Sequence, residues 1–416
     1  MNHENMKMTE VGWIPKDWEC NLFEDVLSTF TTGSTPYRGI PEYYQGNEKW
    51  VSSGELNYNI ISDTHEHITR EAIRDSNLKV HEVGTFLMAI TGLEAEGTRG
   101  KCAILGVPAT TNQSCLAINS TDRMTTDYLF HYYQHFSNWY AFKYSQGTKQ
   151  QSYKAEIVKK FPIIHPALLS EQRRIAQVLS DTDSLIASLS RTIEKKRLVK
   201  QGAMQQLLTG KTRLKGFSGE WVEKKVSSLG KFYGGGTPST QIEEYWKGTI
   251  PWISSSDLRE NDIIHISKSR FITVEAVANS ATKIVPKNSI LIVTRVGLGK
   301  VAVSNTDICT SQDFSSINLF EDELYFIAYS LMNLVKDIKE EAQGTSIKGI
   351  DLTALKECVL SVPPSYNEQF AISERLRTMD NEIASLEAEL QKYKSLKQGM
   401  MQKLLTGQIR LTNSTK

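Results

Sequence analysis

Few side chains in this chain have the types and spacings of chemical machinery, and each lacks a neighbour its chemistry needs. Phe232-Tyr233-Gly234-Gly235-Gly236 has the glycine density of a cofactor loop, yet no helical pattern opens behind it, so it reads as a turn. Gly297-Leu298-Gly299-Lys300 ends like a phosphate loop, but that loop's first glycine is absent and Val301 stands where Ser or Thr must hold magnesium. His65 with His67, and His131 with His135, are spaced like metal ligands without an evident third, which favours ordinary surface or core histidines. Val362-Pro363-Pro364-Ser365 contains the middle of an Asp/Asn-Pro-Pro-aromatic clamp for a flipped adenine. Val362 cannot accept the amino proton there, and Ser365 cannot stack on the base. What remains is recognition, so the chain is expected to bind and not to catalyse.

The elements that would position recognising side chains are written twice. Lys200-Gln201-Gly202-Ala203-Met204-Gln205-Gln206-Leu207-Leu208-Thr209-Gly210 returns as Lys397-Gln398-Gly399-Met400-Met401-Gln402-Lys403-Leu404-Leu405-Thr406-Gly407, an offset of 397 − 200 = 197. Gln146-Gly147-Thr148 with Gln343-Gly344-Thr345, Glu171-Gln172 with Glu368-Gln369, and Ile186-Ala187-Ser188-Leu189 with Ile383-Ala384-Ser385-Leu386 keep that offset. A period of about 200 residues is too long for a solenoid unit and describes a duplicated domain with its connector.

The later part of each repeat predicts a long helix. Ile372, Leu376, Met379, Ile383, Leu386, Leu390, Tyr393, Lys397, Met400 and Leu404 alternate by four and three, a heptad seam that only Lys397 interrupts. The first copy, Ile175, Leu179, Thr182, Ile186, Leu189, Ile193, Lys196, Lys200, Ala203 and Leu207, is weaker toward its end. Ser170 and Asn367 are placed as N-caps, each followed by Glu-Gln in the first turn, and Gly210 and Gly407 as left-handed C-caps. Each helix, at about 38 residues, would be a rod of roughly 55 Å. Two such rods would bury their seams by pairing antiparallel, giving a pseudo-twofold tandem repeat; the alternative is that each stripe packs on its own domain.

The earlier parts correspond more loosely. Thr35-Pro36 matches Thr237-Pro238, and Trp50-Val51-Ser52-Ser53 matches Trp252-Ile253-Ser254-Ser255, at an offset of 202; Gly100-Lys101 and Gln113 match Gly299-Lys300 and Gln312 at 199. Short β-rich runs such as Ser289 to Thr294 and Lys300 to Ser304 predict a mixed α/β (α+β) domain in two copies. The segments expected are 1–165, a first recognition domain; 166–212, a central helix; 213–363, a second recognition domain; and 364–412, a C-terminal helix.

Composition narrows the class without naming it. The 416 residues are 40% hydrophobic with a formal charge of +1, enough for two or three cores and neutral on the question of nucleic acid. Five scattered cysteines without a C-x-x-C pair argue against a disulfide framework or a thiolate zinc site. No apolar run is long enough to span a bilayer and no signal-peptide stretch opens the chain, so a cytoplasmic location is expected. The basic run from Arg191 to Lys215 reads as a solvated helix face before it reads as a phosphate track.

Taken together, the Gly-Thr-Pro and Trp-(Ile/Val)-Ser motifs, Gly-Lys-(Cys/Val)-Ala-(Ile/Val), the Gln-containing strand, Gly-Thr, Glu-Gln and the terminal Leu-Leu-Thr-Gly resemble the specificity subunit of type I restriction-modification systems over essentially the whole chain. The resemblance implies two target-recognition domains, each reading half of a gapped, asymmetric site in double-stranded DNA. It also implies long helices that set the gap and dock two modification subunits, with no cofactor in this chain. S-adenosylmethionine for adenine N6 methylation would sit in the modification subunits, and ATP and magnesium in two optional restriction subunits. Half-sites one helical turn apart, about 34 to 36 Å, suit rods of this length.

Arg suits guanine and Gln suits adenine in the major groove, which makes Arg99, Lys101 and Gln113, and Arg295, Lys300 and Gln312, the candidate base readers. Thr35, Pro36, Trp50, Thr237, Pro238 and Trp252 read as scaffold before readout, and Thr35 and Thr237 are kept with the DNA-contact candidates by motif. Two alternatives stand beside this reading: the specificity subunit of a combined restriction-methylation enzyme that cuts on both sides of its site, and a coiled-coil scaffold that binds no DNA.

Overall fold

The computed structural model describes residues 5–94, 98–147, 151–341 and 349–412. The chain folds as two compact units, one built from Met1–Leu189 with Glu389–Lys416 and the other from Ser190–Ala388. Among the described residues four long helices stand out: α1 Thr126–Tyr144, α2 Leu169–Leu207, α3 Leu324–Glu341 and α4 Tyr366–Leu404. The boundary between units cuts through α2 and α4, so each unit owns one end of both.

The first unit carries a five-stranded sheet ordered Leu27–Thr32, Cys115–Ser120, Phe86–Ala89, Cys102–Leu105, Asn59–Ile61, antiparallel except for the last pair. Strand alternation sorts its two faces. Phe86 and Met88 enter the large core with α1, whereas Leu87 and Ala89 enter a smaller one with Val51, Leu56 and Leu105. A second sheet sets Glu48–Val51 between Thr110–Thr111, parallel, and Glu66–Ile68, antiparallel.

The second unit repeats this plan with four strands in the main sheet: Gly230–Gly234, Phe314–Leu319, Ser289–Val293 and Val301–Val303, all antiparallel. Ile290 and Ile292 face the core under α3, and Leu291 and Val293 face the opposite cluster with Phe314. Its smaller sheet again has a tryptophan strand, Ile250–Ile253, parallel to Cys309–Thr310 and antiparallel to Arg270–Ile272. The strands predicted at Ser289 to Thr294 and Lys300 to Ser304 are present, and the mixed α/β class in two copies holds.

Within each unit the ends of α2 and α4 lie antiparallel. Ile175 and Leu179 share the first unit's core with Met401, Leu404 and Leu405, and Met204, Leu207 and Leu208 share the second's with Ile372 and Leu376. The seam is buried at these ends because α1 or α3 adds a third wall. Farther along, Ile186, Leu189, Leu386 and Leu390 are only half-buried.

Lys397, the break in the heptad pattern, pairs with Asp183 at 2.6 Å and donates to the Gln134 amide at 3.0 Å. Its repeat partner Lys200 is buried against Asp380, whose other oxygen accepts from the Tyr329 hydroxyl at 2.5 Å.

Gly210 and Gly407 have φ of 68° and 69°, the left-handed end that L side chains resist, as their C-cap positions require. The N-termini differ from expectation. The helices begin at Leu169 and Tyr366, so Ser170 and Asn367 lie inside the first turn and are not its caps. The following Glu-Gln pairs also do more than meet a dipole. Gln172 Oε1 accepts from Thr125 N at 3.0 Å and Gln369 Oε1 from Glu323 N at 2.7 Å, tying each long helix to the start of α1 or α3.

Candidate nucleic-acid interface

In the first unit the parallel strands Glu48–Val51 and Thr110–Thr111 run out into adjacent loops, and the Gly33-Ser34-Thr35-Pro36 segment crosses beside them. Gly33 is required by proximity: a Cβ there would lie 1.7 Å from the Thr111 carbonyl oxygen. That close approach lets the Thr35 hydroxyl donate to Gln113 Oε1 at 2.6 Å, and the Trp50 indole to the Ser34 carbonyl at 3.1 Å. Arg38 lies over the rings of Tyr44 at 4.1 Å and Trp50 at 5.4 Å, and its guanidinium grips Glu66 with two bonds of 2.6 and 2.7 Å. The Glu66 carboxyl is held below its ordinary range by that arginine.

The second unit rebuilds the frame. A Cβ on Gly235 would lie 1.9 Å from the Ser311 carbonyl oxygen, Thr237 donates to Gln312 Oε1 at 2.6 Å, and the Trp252 indole donates to the Gly236 carbonyl at 2.9 Å. A guanidinium again lies over the tryptophan, 4.5 Å from its ring, but it comes from Arg270. Arg270 stands opposite Trp252 in the antiparallel pair, where the first unit has Glu66 opposite Trp50. It donates to Ser254 Oγ at 2.7 Å and pairs with Asp257. Equivalent places thus receive arginine from different sequence positions.

The structure brings together four of the eight candidates, Thr35 with Gln113 and Thr237 with Gln312, all exposed. The others are spread among local partners. Arg99 Nε donates to the Leu93 carbonyl at 3.0 Å, Lys101 to Asn57 Oδ1 at 2.6 Å beside the Tyr58 ring, and Lys300 to the Ser255 carbonyl at 2.9 Å. Arg295 is exposed and makes no side-chain hydrogen bond or ion pair among the described residues. Trp50 and Trp252 are buried, as scaffold residues should be. Of the Gly-Thr repeat, Thr148 and Gln343-Gly344-Thr345 lie outside the described residues.

Sequence reasoning missed Arg38 and Arg270. Arg38 follows Thr35-Pro36 by two residues and is within reach of the motif; Arg270 lies where the repeat offset breaks, so the repeat does not announce it.

The remaining chemical suspects resolve into structure. Gly235 serves close packing, and the His131 ring is buried against Ser180 Oγ at 2.9 Å, its pKa pushed down to about 3 by burial and by nearby Lys397. No group of three or more His, Cys, Asp or Glu able to hold a metal occurs among the described residues, and none of their helices is long and apolar enough to cross a membrane. Half of the basic run is paired with α4: Lys196 with Glu382 at 2.6 Å, Arg197 with Glu387 at 2.5 Å, Lys200 with Asp380, and Arg213 beyond the helix end with Glu368 at 2.6 Å.

Comparison with known proteins supplies the context for this duplicated frame. The family model described as the type I restriction modification DNA specificity domain matches twice, over residues 15–196 and 218–397. A Methanocaldococcus jannaschii protein provisionally named the type I restriction enzyme MjaX specificity subunit is 27% identical over 98% of this chain and 97% of its own length. The EcoR124I/EcoR124II specificity subunit of Escherichia coli is 33% identical over 58% of this chain and 60% of its own. The crystal structure of a type I restriction-modification S subunit from M. genitalium shares the fold with a TM-score of 0.62 at 15% identity, covering 96% of this chain and 98% of the other.

Proposed function

The chain belongs to the family of type I restriction modification DNA specificity proteins, and from that premise we propose that it is the sequence-reading subunit of an adenine methyltransferase complex. Each unit reads one half of a gapped, asymmetric site in double-stranded DNA. The paired helices hold the half-sites at a fixed spacing and dock two modification subunits. Chemistry belongs to those partners: S-adenosylmethionine is bound in the modification subunits, and ATP and magnesium in two restriction subunits where these join. This chain contributes recognition and no reaction step.

The recurrence of one frame around non-equivalent charged residues carries this reading. Loop glycine, Thr-Gln bond and indole bond are the same in both units, while Arg38 with Glu66 and Arg270 with Asp257 are not. Two half-sites of different sequence need such a combination, because backbone contacts fix register and side chains at base edges specify. Exposed Arg295 suits a base edge directly, whereas Arg99, Lys101 and Lys300 are tethered and must exchange a protein partner for DNA.

Methylome sequencing of cells that express this chain with its modification subunit tests the reading. Methylated adenines should define a single two-part sequence with a constant gap; methylation at an ungapped or symmetric site contradicts it.

A further inference from the structure

The paired Thr35 and Gln113, and their counterparts Thr237 and Gln312, have a role that the base-reading assignment misses. Both pairs join positions far apart in the sequence at the same 2.6 Å, and all four residues are exposed. In each pair the threonine hydroxyl donates to the amide oxygen. A glutamine that reads adenine offers both an acceptor and a donor to the base; here the threonine takes one of the oxygen's two lone pairs and fixes the orientation of the amide. Neither amide nitrogen has a hydrogen-bond partner among the described residues, which leaves it the uncommitted donor of an exposed side chain.

The two units also differ in the ionic residues beside these pairs and agree in the pairs themselves. A feature identical in both units cannot distinguish two different half-sites; it suits what both share. Resting on the proposed DNA reading, we infer that the Thr35–Gln113 and Thr237–Gln312 pairs are sequence-independent anchors that donate an amide N–H to a phosphodiester oxygen of the DNA backbone. Threonine is the positioning residue, and glutamine makes the contact. Asp313, next to Gln312, stands where the first unit has Ser114, so a negative charge weakens the second anchor relative to the first.

The experiment uses the full chain in complex with its modification subunit. Binding of Gln113→Ala, Gln312→Ala and Thr35→Val variants is measured on a randomised duplex library and on a duplex of unrelated sequence, across a salt series. Gln113→Ala should lower affinity about tenfold on cognate and unrelated duplexes alike, a bond to a charged acceptor being lost, with the selected consensus unchanged. Because glutamine is neutral and releases no counterion, the slope of log affinity against log salt should also stay unchanged, whereas removing a phosphate-bound Lys or Arg lowers it by about one. Gln312→Ala should lose less, and Thr35→Val, which frees the amide to rotate, should weaken binding without altering the consensus. A changed base preference in either half-site, or undiminished affinity for both duplexes, overturns the inference while leaving the gapped recognition intact. A wild-type complex that selects no gapped consensus sinks the reading beneath it.

Discussion

Arg410 grips Glu171 from the far end of the sequence, with Nε and one terminal nitrogen at 2.7 and 2.8 Å from the two carboxylate oxygens. Its repeat counterpart Arg213, at 410 − 213 = 197, grips Glu368 in the same way at 2.6 Å for both bonds. Each glutamate is 1% exposed and begins a long helix; each arginine follows the other one. Each unit is therefore closed by a residue from the opposite repeat.

Removing the cation leaves a buried carboxylate without a partner, so Arg410→Ala should destabilise the first unit by about 3 kcal/mol. Arg410→Lys should recover only part of that, because an ammonium cannot form the two-pronged bond. Combining Arg410→Ala with Glu171→Gln should cost less than Arg410→Ala alone. Denaturant unfolding monitored by tryptophan fluorescence measures all three.

The loop glycines should tolerate no side chain. Gly33→Ala and Gly235→Ala each drive a methyl into a carbonyl oxygen, and overpacking of this kind costs about 1 to 3 kcal/mol. Melting curves should register the loss, and methylation assays should show recognition failing in only the half-site of the altered unit.

Arg38→Ala should change the bases selected in one half-site and Arg270→Ala those in the other, neither affecting both. Selection of randomised half-sites followed by sequencing decides this. A uniform drop in affinity without altered preference would make these arginines backbone contacts instead.

Lengthening the paired helices should widen the gap. Four residues inserted after Ser190 and at the equivalent position after Glu387 add one turn, about 6 Å, to each helix, or roughly two base pairs of DNA. Methylome sequencing should return both half-sites unchanged with a longer spacer; new half-sites would refute the spacer role.

Acid should destabilise the first unit before its carboxylates titrate. Burial pushes His81 down to about 4 and His131 to about 3, so these rings stay neutral in the folded protein and take up protons on unfolding. The unfolded chain then binds more protons below the ordinary imidazole value of about 6.5, so stability falls as pH drops from there toward the folded values. Unfolding midpoints between pH 7 and pH 5 should decline, and His131→Gln should flatten the slope by about one proton.

Much of the fold was legible because repeats and periods are local properties. A constant offset of 197 carried the long helices, their glycine ends and their heptad seam, and the break at Lys397 was visible as a break. Its reason was not, since Asp183 lies on another helix and no spacing along one chain announces that partner. The same offset relates Arg213 to Arg410 and Glu171 to Glu368, so both members of each crossed pair could be read as repeats, though not as a bond. The candidate site was legible where motif residues were also frame residues, Thr35 with Gln113 and Thr237 with Gln312. It was illegible at Arg270, whose alignment partner is a glutamate.

By itself, then, the sequence determined that a mixed α/β domain and a long amphipathic helix occur twice, because hydrophobic period, capping glycines and repetition depend on neighbours along the chain. Only the tertiary structure decided that the compact units cut across the repeats, that an arginine from one repeat closes the other on a buried glutamate, and that each glutamine amide is held by a threonine hydroxyl. Those outcomes depend on which distant groups must share a buried charge or a hydrogen bond, and desolvation makes that choice only once the chain has folded.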